Sequence, residues 1–473
     1  MIRKKVIEGL ELKDSEFSCS DTIKTKIAQH KGMWLYGEKK DKAGFDLPLI
    51  QPILSQHVMF SGGIGSGKTN AINQVVDQLI QLIESRKTAA GGKSDDVVII
   101  FDSKGDFLNK FGPKINDKVV ISNDSSATVT WNMFNEALID YKKYGPRMLD
   151  ESLMELASGL FQTIIDKDST NPFFPLAAKN IFYGLLKLLA IKDLNEHLNG
   201  KKMKINNKSI YELSKLNSEA IAARFNEVSG VEKDDLLQLI YYLGRMKKDQ
   251  TGNTVLTEND QGASVIATMR NVLIDIFKGK FAESGNFSIR EFIRNKGGRF
   301  LFVEYDLNQG RVLDPIYKVL FDLAIKESLC RDRSLGNVFF IIDEFRLLPK
   351  LNFMDSGVNL GRGLGAKFII GIQNLKQIEA IYGEAEAKSI LSAFVTNINF
   401  RTTDIETREY IKSLSGEQIY EYDVASLSGG KQRDRSSVIT DEDILKLDVG
   451  EAIINIPVLD KNPIRFKFRE FKG

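Results

Sequence analysis

Short runs of Val, Ile and Phe punctuate the chain at 97–101, 300–304, 338–342 and 368–372, and a briefer one lies at 57–60. Runs of this length and composition predict strands. Around several of them the apolar positions recur every three or four residues instead. After residue 68, the side chains of Ile72, Val75, Val76, Leu79 and Ile83 fall on one face of a helix predicted over 69–83. This alternation predicts an α/β fold with a mostly parallel sheet and helices on both faces. One region departs from it. The chain has ten prolines, yet none lies between Pro175 and Pro315. Just upstream, Leu149, Leu153, Leu156, Leu160 and Ile164 share a helical face, and Ser209-x-x-Glu212 and Ser288-x-x-Glu291 read as capping boxes. The expected organisation is an N-terminal segment over 1–44, a first core part over 45–144, an inserted all-α domain over 145–280 and a second core part over 281–473. The segment 89–96 reads as an exposed loop.

Composition narrows the function classes. Lys plus Arg at 65 against Asp plus Glu at 63 leaves a net charge of +2, so a surface for nucleic acid has to be local. Two distant cysteines, Cys19 and Cys330, fit a reducing compartment, and His30, His57 and His197 are too scattered for a zinc cluster. The N-terminus has basic residues without a following apolar run. The apolar stretch 181–191 is broken by Lys187 and falls short of the ~20 residues of a membrane span. The expectation is a soluble, cytoplasmic chain without a membrane span of its own.

The strongest chemical signal is Gly62-Gly63-Ile64-Gly65-Ser66-Gly67-Lys68-Thr69, a full P-loop pattern between a predicted strand and a predicted helix. Its glycines let backbone N–H groups face phosphate oxygens, and the helix N-terminus adds partial positive charge. Lys68 then reaches the β and γ phosphates of ATP, Thr69 offers a hydroxyl to Mg²⁺, and Asn70 completes the binding segment. A second signal is Phe339-Phe340-Ile341-Ile342-Asp343-Glu344, an apolar strand ending in two acids. Asp343 is the candidate to hold Mg²⁺ and Glu344 the candidate to polarise the attacking water.

These pieces come in a recognisable order. The P-loop with His57 ahead of it is followed by Asp102-Ser103-Lys104-Gly105-Asp106-Phe107 and Trp131-Asn132-Met133-Phe134-Asn135-Glu136. Asp343-Glu344-Phe345, Gly361-Arg362-Gly363 and Gly371-Ile372-Gln373 come after them. From about 45 to 455 the series resembles the conjugative coupling proteins of type IV secretion, within the FtsK/HerA group of P-loop ATPases. The resemblance implies a RecA-like core with an inserted all-α domain, a hexameric ring that moves DNA, and secretion-channel or relaxase partners. It also implies a γ-phosphate-sensing role for Gln373. The transmembrane anchor usual in that family is not seen ahead of residue 45, which leads to the expectation of peripheral attachment at the inner membrane through partners.

Several residues keep two readings. Arg362, expected in a glycine-flanked loop, is either an arginine finger for a neighbouring subunit or a plain surface arginine. Arg401 is a second finger candidate. Asp102 either touches Mg²⁺-bound water or simply ends its strand. His57 is expected to pack under the P-loop. The segment Leu427-Ser428-Gly429-Gly430-Lys431-Gln432-Arg433 is similar to an ABC-transporter signature, but it follows the acidic strand and reads as a solvated loop. An ATP-driven DNA pump is the leading reading. A soluble HerA-like DNA-processing or defence ATPase and a non-translocating, nucleotide-gated receptor for secretion substrates stand beside it.

Overall fold

The computed structural model describes residues 5–14, 32–38, 46–49, 51–89, 94–167, 170–198, 205–227, 232–248, 254–330, 336–424 and 430–472. Cys19, His30, the side chain of His197, residues 90–93 of the expected 89–96 loop and residues 427–429 lie outside the described residues. The chain divides into two compact units, one of residues 1–118, 296–303 and 328–473, the other of 119–295 and 304–327.

The first unit is built on a twisted sheet. Its strands are β1 (Lys13–Asp14), β2 (Val58–Ser61), β3 (Val97–Asp102), β4 (Phe300–Glu304), β5 (Val338–Ile342), β6 (Ala366–Ile372), β7 (Thr396–Phe400), β8 (Glu451–Asn455) and β9 (Ile464–Lys467). They lie in the order β1-β9-β8-β7-β2-β6-β5-β3-β4. The central pairs β7–β2, β2–β6, β6–β5 and β5–β3 are parallel, while β7–β8 and β8–β9 are antiparallel. Every residue of β2, β3, β5 and β6 is buried, which explains why these strands read as continuous apolar runs. The helix Lys68–Ala89 is longer than the expected 69–83 and buries Ile72, Val75, Val76, Leu79 and Ile83.

Register sets the chemistry. Ile342 lies opposite Phe101 on one side and Ile370 on the other, and Ile372 lies opposite Ser61. The residues that follow these positions therefore emerge together at the carboxyl ends of the parallel strands, where such sheets bind ligands.

At the opposite end of β2, His57 has a left-handed backbone, φ 55°, and its ring is spent on structure. Its Nδ1 accepts from the Phe368 N–H at 3.1 Å, which leaves Nε2 to donate to the Val358 carbonyl at 2.8 Å. Burial against Phe368 and Phe394 lowers its pKa from the ordinary 6.5 to about 4. The unfolded chain therefore takes up this proton first as the pH falls, and stability is lost between those two values. Between pH 7 and pH 5, urea denaturation is expected to show a loss of about 2 kcal/mol attributable to this ring. His57→Asn, which tolerates the backbone conformation, should lose that part of the pH slope. Equal slopes in both proteins would refute the assignment.

The second unit is mostly helical. Leu149, Leu153, Leu156 and Leu160 of the helix Pro146–Lys167 are buried as the periodicity predicts, and Ile164 is half-buried. The helix Phe173–Leu198 corrects the expectation from 181–191. Its apolar window covers Phe173–Asn195, long enough by length and composition to cross a membrane, yet 56% of that window is buried. Ala178, Ile181, Phe182, Leu185 and Leu186 are fully covered, as in a core helix. The capping box expected at Ser209 is replaced by Asn206, whose side chain accepts from the Lys208 N–H at 2.9 Å. Ser209 lies inside that helix instead. At Ser288, the hydroxyl does accept from the Glu291 N–H at 3.2 Å. A hairpin, Gly244–Lys248 with Thr254–Glu258, adds strand structure to the region read as all-helical.

The Trp131-to-Glu136 segment has a structural role in this unit. Glu136 is fully buried and accepts from Trp131 Nε1 at 2.8 Å, the Ser288 hydroxyl at 2.7 Å and the Ile289 N–H at 2.7 Å. It thereby caps the helix Ile289–Asn295, whose Arg290 pairs with Asp140 and Glu155. A buried carboxylate so fully bonded holds together chain segments ~150 positions apart.

Candidate nucleotide site

The loop 62–67 leaves β2 and turns into the helix Lys68–Ala89. Gly62, Gly65 and Gly67 have φ of 148°, 71° and 110°, which only glycine adopts without strain. A Cβ at Gly62 would also lie 2.7 Å from Phe400 Cβ, and one at Gly67 would lie 2.8 Å from the Gly450 backbone. The loop is further tied to its surroundings by main-chain bonds. Gly62 N–H donates to Ile372 at 3.3 Å, Gly63 N–H to Arg401 at 2.9 Å, and Gly450 N–H to Ser66 at 2.9 Å. Ile64 stands at the exposed tip.

Lys68 Nζ donates to the carbonyls of Gly62 and Gly63 at 2.5 and 3.0 Å, so the ammonium lies over the loop itself. Burial lowers its pKa, and the nearby Asp343 and Glu344 oppose that shift. Thr69 Oγ1 donates to Asp343 Oδ2 at 3.0 Å. Asp343 Oδ1 is buried and has no hydrogen-bond partner among the described residues, and burial raises the pKa of this carboxyl. A hydroxyl beside a buried carboxylate oxygen that lacks a donor is a set that suits Mg²⁺ and its waters. Ser66 Oγ is likewise buried and unsatisfied, under the loop.

Glu344 is half-buried and held from two sides. Gln373 Nε2 donates to its Oε2 at 2.7 Å and Arg346 Nε to its Oε1 at 2.9 Å. Close packing makes this possible, since a Cβ at Gly371 would lie 2.1 Å from the Asp343 carbonyl. Lys68, Thr69, Asp343, Glu344 and Gln373 therefore share one crevice.

Other candidates fall elsewhere. Asp102 is taken up by its own loop, Oδ2 accepting from the Leu108 N–H at 2.8 Å and Oδ1 from the Lys104 N–H at 3.4 Å. Lys104, which spacing alone did not single out, instead adds positive charge near Lys68 and Asp343. Arg362 is not in a loop: it is exposed in the last turn of the helix Met354–Leu364, just before β6 begins. That places it at the end of the sheet away from the crevice, about 20 Å distant at ~3.3 Å per strand residue. Arg401 lies against the P-loop, with its carbonyl bonded to Gly63. The Asn70 side chain binds the C-terminal segment, donating to the Arg469 carbonyl at 3.0 Å and accepting from the Phe471 N–H at 2.7 Å. The segment 430–433 is no loop but opens the strand Gly430–Ser437, paired with Glu417–Val424. Its Lys431 and Arg433 face Glu421 at 2.7 and 3.5 Å.

Comparison with known proteins fits this geometry. A family model described as the type IV secretion-system coupling protein DNA-binding domain matches residues 39–233 and 226–459. Coupling protein TraD of Escherichia coli (strain K12) is 22% identical over 443 residues, covering 89% of this chain and 54% of TraD. Protein VirD4 of Rhizobium rhizogenes is 27% identical over 160 residues, covering 33% of this chain and 24% of VirD4. The chain thus spans about half the length of TraD. Among solved structures, the unbound bacterial conjugative coupling protein TrwBΔN70 aligns with a TM-score of 0.64 at 18% identity, covering 99% of this chain and 94% of that one. Plasmid coupling protein TrwB in complex with ADP and Mg²⁺ aligns with a TM-score of 0.61 at 16% identity, covering 100% and 96%. The α/β fold with its mostly parallel sheet is that of TrwB, and with the family model covering most of its length, the chain belongs to the type IV secretion coupling proteins.

Proposed function

We propose that this chain is the ATP-hydrolysing motor of a type IV secretion coupling system, acting as a hexameric ring that moves DNA. The observation that carries the reading is the crevice itself. A phosphate loop, a lysine over it, a Thr69–Asp343 pair and a Glu344 aimed by Gln373 are what phosphoryl transfer to water requires. A scaffold that only binds nucleotide has no use for the second acid.

The division of labour follows from position. The N–H groups of 63–69 and the Lys68 ammonium bind the β and γ phosphates once Lys68 leaves the Gly62 and Gly63 carbonyls. Thr69 and Asp343 hold Mg²⁺, which supplies charge neutralisation on the phosphate oxygens. Glu344 accepts a proton from the attacking water, and Gln373, bonded to it, reports the γ-phosphate to β6. The helical block 145–280 engages the cargo. TrwB, solved with ADP and Mg²⁺ and with analogues of ATP and GTP, supports the choice of ligand.

ATP hydrolysis should rise several-fold on adding DNA, with a loss of stimulation at high salt because the contacts are to phosphates. Displacement of a third strand from a triplex would then report movement along DNA. Stimulated hydrolysis without displacement would leave a receptor rather than a pump, and absence of hydrolysis with any nucleotide would refute the motor.

A further inference from the structure

The first helix after the P-loop carries a ladder of amides at Asn70, Gln74 and Gln78, one turn apart on one face. None of the three is left free to solvent. Gln78 exchanges bonds with the Trp34 main chain at 2.7 and 2.6 Å, and Gln74 accepts from the Tyr36 N–H at 2.9 Å. Gln74 also donates to the Arg469 carbonyl at 2.7 Å, and Asn70 grips Arg469 and Phe471. Arg469 N–H in turn donates to the Tyr36 carbonyl at 3.0 Å. The ladder thus pins two segments far apart in sequence, 34–38 and 469–471, beside the phosphate loop. The second is continuous with Phe468, whose N–H bonds to Gly450, the residue that touches Ser66 and Gly67.

We propose that this C-terminal strap, with Tyr36, is the nucleoside wall of the site and takes the base and ribose of a bound nucleoside triphosphate. The inference rests on reading the P-loop as a nucleotide site, and deepens it. Phosphates seated on the N–H groups at the start of the helix leave the α-phosphate next to residues 69 and 70. On the other flank of the loop stand Phe400 and Arg401, and ahead of it the Asp343–Glu344 acids. The nucleoside leaves on the remaining side, where the strap is bonded to Asn70 itself.

The chemistry of that side suits a base. A cavity of about 470 Å³ lies there, lined by Tyr36, Gln74, Asp77, Arg469 and Phe471, within the usual size range of small-molecule sites. The Arg469 guanidinium lies over the Tyr36 ring at 4.6 Å, and the residue is exposed. A planar cation fixed on one face by an aromatic ring offers its other face for stacking. The side-chain amides around it are already engaged in holding the strap, Asp77 accepts from Gln81 at 2.8 Å and Lys114 at 2.9 Å, and the charged Glu38, Glu470 and Lys472 complete the lining. With no amide left to read base edges, the wall recognises a base by its plane, and ATP and GTP are taken alike.

Calorimetric titration of ATP, GTP and inorganic tripolyphosphate tests this in the full chain. Arg469→Ala and Arg469→Lys are both expected to weaken ATP and GTP about tenfold while leaving tripolyphosphate unchanged, because lysine keeps the charge and loses the plane. Gln74→Ala, which releases the strap without touching the guanidinium or the phosphate loop, should give the same split. Equal losses for ATP and tripolyphosphate would mean that the strap merely braces the P-loop and would overturn the proposal, as would unchanged ATP binding in the Arg469 variants. Wild-type protein that binds tripolyphosphate and ATP equally well would overturn the base site alone. Failure to bind either ligand would overturn the nucleotide reading beneath it.

Discussion

Glu344→Gln is expected to bind ATP as tightly as the wild type and to turn it over at least ~100-fold more slowly, the usual scale for loss of a positioned general base. The amide is isosteric with the carboxylate: its carbonyl can still accept from Arg346, and its NH2 can donate to Gln373 once that side-chain amide turns over, so the crevice keeps its shape. What it loses is the capacity to accept a proton from water. Lys68→Ala should fail earlier, at binding, because the ammonium contacts the phosphates in the ground state as well. Equilibrium binding of a fluorescent ATP analogue beside steady-state phosphate release separates the two. A Glu344→Gln protein that releases phosphate near the wild-type rate would remove this residue from the mechanism and leave water activation to another group.

The second large effect concerns Arg362, and its position sharpens the test. Exposed before the start of β6, it lies at the end of the sheet away from its own P-loop, so any γ-phosphate it meets belongs to another subunit. An arginine supplied in trans is worth about 10³-fold or more in rate. Arg362→Ala and Lys68→Ala should each be nearly inactive alone, whereas mixed assemblies should recover part of the activity. Recovery arises wherever an intact finger faces an intact P-loop. Sedimentation would establish that both variants enter the same assemblies. Co-assembly without recovery would rule out Arg362, and Arg401, bonded through its carbonyl to Gly63, would be the next residue to test for a contact within its own subunit.

Residues whose meaning is local could be read from order alone. The P-loop needs its glycines, Lys68 and Thr69 within one short stretch, and its conformation follows from φ values that other residues resist. The buried strands announced themselves because a strand covered on both faces has no polar alternation, and β4 and β5 fall where the apolar runs predicted them. His57 was expected to pack under the P-loop; it is a packing residue, but at the other end of β2, where its ring spends both nitrogens on the main chain of Val358 and Phe368. The order of motifs was enough to name the family.

Contacts between distant segments were another matter, since local periodicity carries no record of them. The pairing of Glu344 with Gln373 depends on the register of β5 against β6, and the capture of Phe471 by Asn70 joins residues 401 positions apart. Asp102 looked like any strand-end acid until the turn of its own loop supplied two N–H donors. Arg362 looked like a loop residue because the flanking glycines suggested a turn, but buried Val358 and Gly361 pack the segment as a helix against its neighbours. Hydrophobic spacing and backbone preference determined which elements form and which loop takes the glycine-dependent P-loop conformation. Register, burial and hydrogen bonding across the fold decided which side chains in those elements face the crevice, which ones hold the structure together, and which, like Arg362, are exposed at the end of the sheet away from it.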